Sequence, residues 1–209
     1  MKYKFITIEG NIGAGKTTLA RLLEAQLPAR IILEQFADNP FLPKFYANRD
    51  KYAFPLELSF LAERFKQLKD MLNTRDLFDQ YLVSDYLFIK SKLFASVNLP
   101  DDEYKLFCNL FDIIQTNLPQ PDLILYLHAP LEKLKENIRR RNRDYEQNIQ
   151  DEYLVELQAA YLQLIKAGQY RTLVVDTTQT DFLHNPEQFQ QLLSYLDADY
   201  EPGFHYLPF

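Results

Sequence analysis

Gly10-Asn-Ile-Gly-Ala-Gly-Lys-Thr17 matches G-x-x-x-x-G-K-[ST] in full, and what flanks it decides the fold. Before it runs Tyr3-Lys-Phe-Ile-Thr-Ile-Glu9, rich in β-branched and aromatic residues, as a buried strand should be. After it, Leu19, Leu22, Leu23 and Leu27 recur at helical spacing. A strand, a glycine loop and a helix in that order make an anion site. The glycines let successive backbone N–H groups turn inward, and the helix N-terminus adds its partial positive charge. Gly10, Asn11, Ile12, Gly13, Ala14, Gly15, Lys16, Thr17 and Thr18 are therefore the expected nucleotide-binding loop. Lys16 is placed to reach the β- and γ-phosphates of a nucleoside triphosphate, and the Thr17 hydroxyl to hold Mg²⁺.

Outward from the loop, short apolar segments alternate with longer helical patterns. This predicts an α/β fold of the P-loop NTPase type, a five-stranded parallel sheet flanked by helices. The expected strands are Lys4–Glu9, Arg30–Glu34, Tyr81–Ser84, Asp122–His128 and Arg171–Asp176. Helices are expected over Lys16–Leu27, Phe54–Phe78, Tyr86–Ala95, Asp102–Asn117, Leu131–Arg141, Asp151–Lys166 and Pro186–Tyr195. No linker, repeat or low-complexity stretch divides the 209 residues, so 1–209 reads as a single domain. Ligands of such sheets bind at the carboxyl ends of the strands. The candidate polar residues fall there: the glycine loop after the first strand, Glu34 ending the second, Ser84-Asp85 ending the third.

Composition bounds the function classes. Hydrophobic residues make up 47 % of the chain, charged residues 25 %, and the net charge is −6. An acidic chain without a basic face argues against nucleic acid as partner and favours a small substrate. A single cysteine, Cys108, excludes an intramolecular disulfide and fits a reducing compartment. The chain opens directly into a core strand without a signal-peptide pattern, and no apolar run reaches spanning length. A cytoplasmic protein with no membrane partner is expected.

Three features carry candidate chemistry. Glu34, near a bound γ-phosphate, is placed to accept a proton from an attacking hydroxyl; as a lone residue it reads equally as a surface or capping glutamate. Arg139-Arg-Arg-Asn-Arg143 would end a helix, either as charge stabilisers closing over phosphates or as a solvated basic end complementing the helix dipole. Asp85, a carboxylate at the end of the third expected strand, would cap a helix starting at Tyr86.

Taken in order, the motifs resemble the deoxynucleoside kinases. They are Ile8-Glu-Gly-Asn-Ile-Gly-Ala-Gly-Lys-Thr-Thr18, Glu34, Asn39-Pro-Phe-Leu42 after Asp38, Phe45-Tyr46, Phe54-Pro-Leu-Glu-Leu-Ser-Phe-Leu-Ala-Glu-Arg64, Arg141-Asn-Arg-Asp-Tyr-Glu146 and Asp181-Phe182. Nearly the whole chain is covered, and the ordered set is far more specific than the glycine loop alone. The resemblance implies ATP-dependent phosphorylation of a deoxynucleoside 5′-hydroxyl, with purine substrates, Mg²⁺ accompanying ATP, and a homodimer. By the same resemblance Glu34 is the general base, and Tyr46 and Glu146 contact the sugar 3′-hydroxyl. Arg141 and Arg143 belong to a lid of about 139–150, and Asp181 and Phe182 border the adenine of ATP. Glu57 stands where the family usually has a base-bonding Gln, with Arg64 beside it. Ionised Glu only accepts hydrogen bonds, so Glu57 fits the N1–H and N2–H₂ edge of guanine; it equally fits an ordinary pair with Arg64, or neutralisation by Lys90. One departure stands out. An acid-Arg-Ser sequence usually follows the third strand in the family; here the residues are Ser84-Asp85-Tyr86, so the arginine that steadies the base is missing. Related kinases hold Mg²⁺ with an acid here, and by that resemblance Asp85 joins Thr17 as a metal ligand, a carboxylate being what Mg²⁺ prefers; the capping role remains equally open.

Two other functions share the glycine loop. A thymidylate-type monophosphate kinase would use Arg64 for the acceptor's phosphate, but Glu34 suits a hydroxyl acceptor better. A non-catalytic nucleotide-binding subunit would explain the missing arginine but not the joint presence of Lys16, Glu34, Arg141 and Glu146. His128 reads as structural, and His184 and His205 make no metal-ligand spacing. Cys108, near Leu106, Leu110 and Phe111, reads as a buried packing thiol. The aromatic tail from Tyr200 to Phe209 has no assigned role.

Overall fold

The computed structural model describes residues 1–36, 39–73, 80–116, 118–147 and 149–209. In chain order it contains β1 (Phe5–Gly10), α1 (Lys16–Gln26), β2 (Ala29–Ile32), α2 (Leu42–Ala47), α3 (Arg49–Asn73), β3 (Tyr81–Ser84) and α4 (Lys90–Asn98). There follow α5 (Asp101–Gln115), β4 (Leu123–His128), α6 (Leu131–Arg141), a 3-10 turn (Asp144–Glu146), α7 (Asp151–Lys166), β5 (Arg171–Asp176), α8 (Pro186–Asp197) and β6 (Gly203–Leu207). The expected helix ends at Phe78 and Asn117, and Asp38, lie outside the described residues.

All strands run parallel in the order β2-β3-β1-β4-β5-β6. Both faces of the sheet are covered, as a parallel sheet requires. Alternation along the strands divides the core in two. Leu123, Leu125, Leu127, Leu173 and Val175 face a cluster with Leu19 and Leu23 of α1, Leu134 of α6 and Leu192 of α8. Tyr126 and Val174 face the other way, toward Leu61 of α3, Phe107 and Phe111 of α5 and Tyr161 of α7.

Four expectations are corrected. The sheet has six strands, because part of the tail from Tyr200 forms β6 beside β5, with Arg171 opposite Gly203 and Val175 opposite Leu207. The alternation Phe204, His205, Tyr206, Leu207 was visible, but five residues bracketed by Pro202 and Pro208 gave no strong strand signal. The third helix starts at Arg49, five residues before the expected Phe54, and carries Pro55 inside it. The next helix starts at Lys90 instead of Tyr86. Tyr86, Leu87 and Phe88 are buried, and their backbone is used elsewhere: Leu87 N–H donates to Glu9 Oε1 at 2.5 Å and Ser84 Oγ to the Tyr86 carbonyl at 2.7 Å. Last, β2 ends at Ile32, so Glu34 lies two residues beyond the strand.

Candidate functional site

The glycine loop is shaped by two close approaches. A Cβ at Gly13 would sit 2.7 Å from the Leu134 carbonyl oxygen, and one at Gly10 2.7 Å from that of Leu127. Both glycines have positive φ, +83° at Gly13 and +150° at Gly10. Side chains from the opposite elements complete the support. Asn137 Nδ2 of α6 donates to the Gly13 carbonyl at 2.8 Å, and Asn11 Nδ2 donates to the Leu154 carbonyl at 2.8 Å and to Gln158 Oε1 at 3.2 Å. Gln158 also meets His128 Nδ1 at 2.6 Å. Buried Glu9 ties the loop to the segment after β3, accepting from Leu87 N–H and, at 2.9 Å, from Tyr161 OH; burial raises its pKa. Lys16 Nζ donates to the carbonyls of Gly10 at 3.0 Å and Asn11 at 2.9 Å. Burial, with Lys90 nearby, lowers its pKa to about 8. The ammonium thus sits within the loop, where its hydrogen-bond partners among the described residues are carbonyls.

Beyond the carboxyl end of β1 a cleft opens between the glycine loop, α3, α4 and the segment 141–146. It brings together Lys16, Thr17, Glu34, Tyr46, Glu57, Arg64, Asp85, Arg141, Arg143 and Glu146. A wider hollow, lined by Phe5, Leu68 and Tyr81, lies at the other end of the strands, far from the loop.

Asp85 is the hinge pin of the arrangement. Its Oδ2 accepts from Thr17 Oγ1 at 2.5 Å, and its Oδ1 from the Glu34 backbone N–H at 2.7 Å. It therefore couples the loop to the segment carrying Glu34. Helix capping is excluded for it, since α4 begins five residues later and its N-cap residue Ile89 has no side-chain cap. A hydroxyl and a carboxylate side by side at the end of a phosphate loop fit Mg²⁺, which binds through one or two carboxylates, phosphate oxygens and water.

Glu34 is enclosed by cations. Arg64 Nε and Nη2 donate to Oε1 at 2.9 and 2.5 Å, and Lys90 Nζ donates to Oε2 at 2.6 Å. Burial favours the neutral acid, but Lys90 and Arg64 outweigh it and hold the carboxyl well below the usual carboxylate range. The arginine missing after β3 therefore leaves no deficit of positive charge at Glu34. Among the described residues the cations come from α3 and α4. Sequence reading placed Arg64 and Lys90 beside Glu57 instead. The signal that could have redirected them was Lys90 itself, a lysine set among Phe88, Ile89, Leu93 and Phe94, where burial demands a counterion.

Glu57 consequently pairs with neither. It is 1 % exposed; its Oε1 accepts from Asn98 Nδ2 at 2.6 Å, and its Oε2 has no partner among the described residues. Asn98 Oδ1 is likewise without a partner, while its Nδ2 also reaches Tyr153 OH at 3.2 Å. Burial pushes the Glu57 carboxyl up to about 7. Asn98 and Tyr153 had no motif to mark them, since they meet Glu57 only through the packing of α3, α4 and α7.

In the segment after α6, Glu146 is 5 % exposed and takes up both predicted arginines. Arg141 Nη2 and Nε meet Oε2 at 2.5 and 3.0 Å, and Arg143 Nη1 meets Oε1 at 3.2 Å. Arg143 also lies 3.9 Å above the Phe36 ring, and Tyr46 stacks on Tyr145 at 6.2 Å between centroids. Asp181 and Phe182 stand apart from this cleft, in the connection after β5. Asp181 closes a local turn, accepting from the N–H groups of Leu183 and His184 at 3.1 Å, and Phe182 packs on Phe209 at 5.4 Å. Cys108 is half-buried, with Leu106 and Leu110 at 51 % and 36 % exposure, because α5 turns only Phe107 and Phe111 fully inward; this corrects the buried-thiol expectation.

The family model for deoxynucleoside kinase matches residues 6–198. A deoxyguanosine kinase of Bacillus subtilis (strain 168) is 36 % identical over 200 residues, covering 92 % of this chain and 95 % of its own. A deoxyadenosine kinase of Dictyostelium discoideum is 35 % identical over 198 residues, covering 94 % and 79 %. The solved structure of a deoxyadenosine kinase from M. mycoides with bound dATP has the same fold, with a TM-score of 0.81 at 24 % identity over 92 % of this chain and 99 % of that one.

Proposed function

Since the chain belongs to the deoxynucleoside kinase family, we propose that it transfers the γ-phosphoryl group of ATP to the 5′-hydroxyl of a purine deoxynucleoside, with Glu34 as proton acceptor. The observation that carries this reading is the bridge through Asp85, which ties Thr17 of the phosphate loop to the backbone of Glu34. A base held that way stands beside the phosphate to be transferred. Thr17 and Asp85 would hold the Mg²⁺ that accompanies ATP; bound there, the ion would neutralise charge on the phosphates. Lys16 serves the β- and γ-phosphates. Arg141 and Arg143 exchange part of their bonding with Glu146 for the equatorial oxygens of the transferring group. Tyr46 and Glu146 take the sugar 3′-hydroxyl. Asp181 and Phe182 border the adenine of ATP.

Glu57 and Asn98 give the base subsite its chemistry. Both residues line the cleft, and each has a buried oxygen, Glu57 Oε2 and Asn98 Oδ1, without a donor among the described residues. Guanine presents adjacent N1–H and N2–H₂ donors and fits these oxygens better than adenine, whose edge alternates donor and acceptor. The similarity to a deoxyguanosine kinase at 36 % identity supports the same preference. The thymidylate-kinase alternative loses its basic group, since Arg64 is committed to Glu34 and Ser91.

The chain acts as a homodimer in this reading. Leu106, Leu110 and Ile113 form an exposed apolar stripe on α5 at helical spacing. A cytoplasmic setting fits the single thiol.

The test is an ADP-release assay with ATP and Mg²⁺ against each deoxynucleoside and dTMP, with products separated by chromatography. Deoxyguanosine monophosphate should form fastest. Turnover of dTMP but of no deoxynucleoside would replace the reading with the monophosphate kinase. Glu34→Gln should lower kcat by about 10²–10⁴-fold, the usual range for a general base, with ATP affinity retained.

A further inference from the structure

Lys90 occupies a position that costs stability unless something compensates. It is the first residue of α4, 5 % exposed, where both burial and the positive end of the helix dipole disfavour a cation. Its ammonium is held by one strong bond to Glu34 Oε2 at 2.6 Å and lies 5.4 Å from the Phe94 ring centroid. Its neighbour Ser91, fully buried, accepts from Arg64 Nη1 at 2.7 Å and so locks the guanidinium that grips Oε1. The first turn of α4 therefore controls both oxygens of Glu34, one directly and one through Arg64.

An ionised carboxylate offers about four acceptor positions, two on each oxygen. Arg64 fills both on Oε1, through Nε and Nη2. Lys90 fills one on Oε2. Among the described residues nothing fills the remaining position, on Oε2 beside the ammonium. We propose that Lys90 is a positioning residue for phosphoryl transfer, fixing Glu34 so that this one position on Oε2 receives the acceptor hydroxyl. The inference rests on the reading of Glu34 as base.

The step then runs as follows. The proton leaves the 5′-oxygen for Oε2, and the 5′-oxygen keeps the electron pair. It bonds to the γ-phosphorus while the bond from that phosphorus to the β–γ bridging oxygen breaks, releasing ADP. Protonated Glu34 no longer balances Lys90, so a positive charge becomes available beside the new bond without any atom moving far. Arg64 stays bound to Oε1 throughout.

A double-mutant cycle tests the assignment, read by single-turnover kinetics with the full-length protein, ATP and deoxyguanosine. Lys90→Met, with folding checked by thermal melting, should lower the transfer rate by about 10²-fold, the scale of a small misplacement of a reacting group. KM for ATP and for deoxyguanosine should stay unchanged. Combined with Glu34→Gln, Lys90→Met should slow the reaction no further, because its effect passes through Glu34. If Lys90→Met does not fold, Lys90→Gln, which retains an N–H donor, takes its place in the same cycle. Multiplying effects in the double variant, an intact rate in the single one, or a change in KM alone would overturn the role of Lys90. Glu34→Gln with undiminished turnover would instead overturn the base assignment beneath it.

Discussion

Glu57 shows how much a single buried carboxyl decides. Burial raises its pKa from the usual 4.5 to about 7, and the hydrogen bond from Asn98 offsets only part of that rise. In the unfolded chain the acid loses its proton near 4.5; in the folded protein it keeps it until about 7. Between those values the folded state binds more protons, so stability must fall as pH rises through the window. Thermal melts from pH 5 to 8 should show this decline in the natural protein and a flatter profile in Glu57→Gln. The same substitution puts a donor in the base subsite. It should move the ratio of kcat/KM for deoxyguanosine over deoxyadenosine downward by about tenfold or more, the scale of one mismatched buried hydrogen bond. An unchanged ratio would remove Glu57 from base recognition.

At the scale of elements, the glycine loop and β6 differ in what enforces them. Gly13 is required by contact with α6. A methyl group there meets the Leu134 carbonyl, a backbone atom that cannot swing away. Gly13→Ala should weaken ATP binding in titration calorimetry by about tenfold or more, in line with the 1–2 kcal/mol penalty of a left-handed L-residue before the clash is counted. The last strand depends on β5 for its backbone partners and on Leu207, 9 % exposed, for its anchor in the cluster with α1 and α8. Leu207→Ala should lower unfolding free energy by about 2 kcal/mol, the low end for a core leucine, with an unchanged urea m-value. Beyond the strand, Tyr195 OH donates to the Pro208 carbonyl at 2.7 Å, and Phe209 packs between Phe182 and Tyr195.

For the whole molecule, the parallel sheet sets the site at one end and leaves α5 on the outside. Ile113 is 74 % exposed, and Leu106 and Leu110 lie along the same face. An exposed apolar stripe of this kind is the usual mark of an interaction surface. Sedimentation should give twice the chain mass of 24.8 kDa, and Ile113→Glu should return it to one chain. A monomeric natural protein would dismiss the homodimer.

The strand-loop-helix signature, the alternation of strands with helices and the ordered motifs were all legible in the residues themselves. They depend on backbone chemistry and local periodicity, which a sequence displays directly. The carboxylates and cations of the site were legible as a set as well. Their pairing was not. Arg64 and Lys90 are 26 positions apart and reach Glu34 from two helices, while Glu57 is left to Asn98. Asp85, read as a metal ligand or a cap, bridges Thr17 and the Glu34 backbone, and only the cap reading falls, since α4 begins at Lys90. Which charge meets which depends on distances of a few ångströms between distant segments inside a low-dielectric cleft. Only the packed helices and sheet determine those distances.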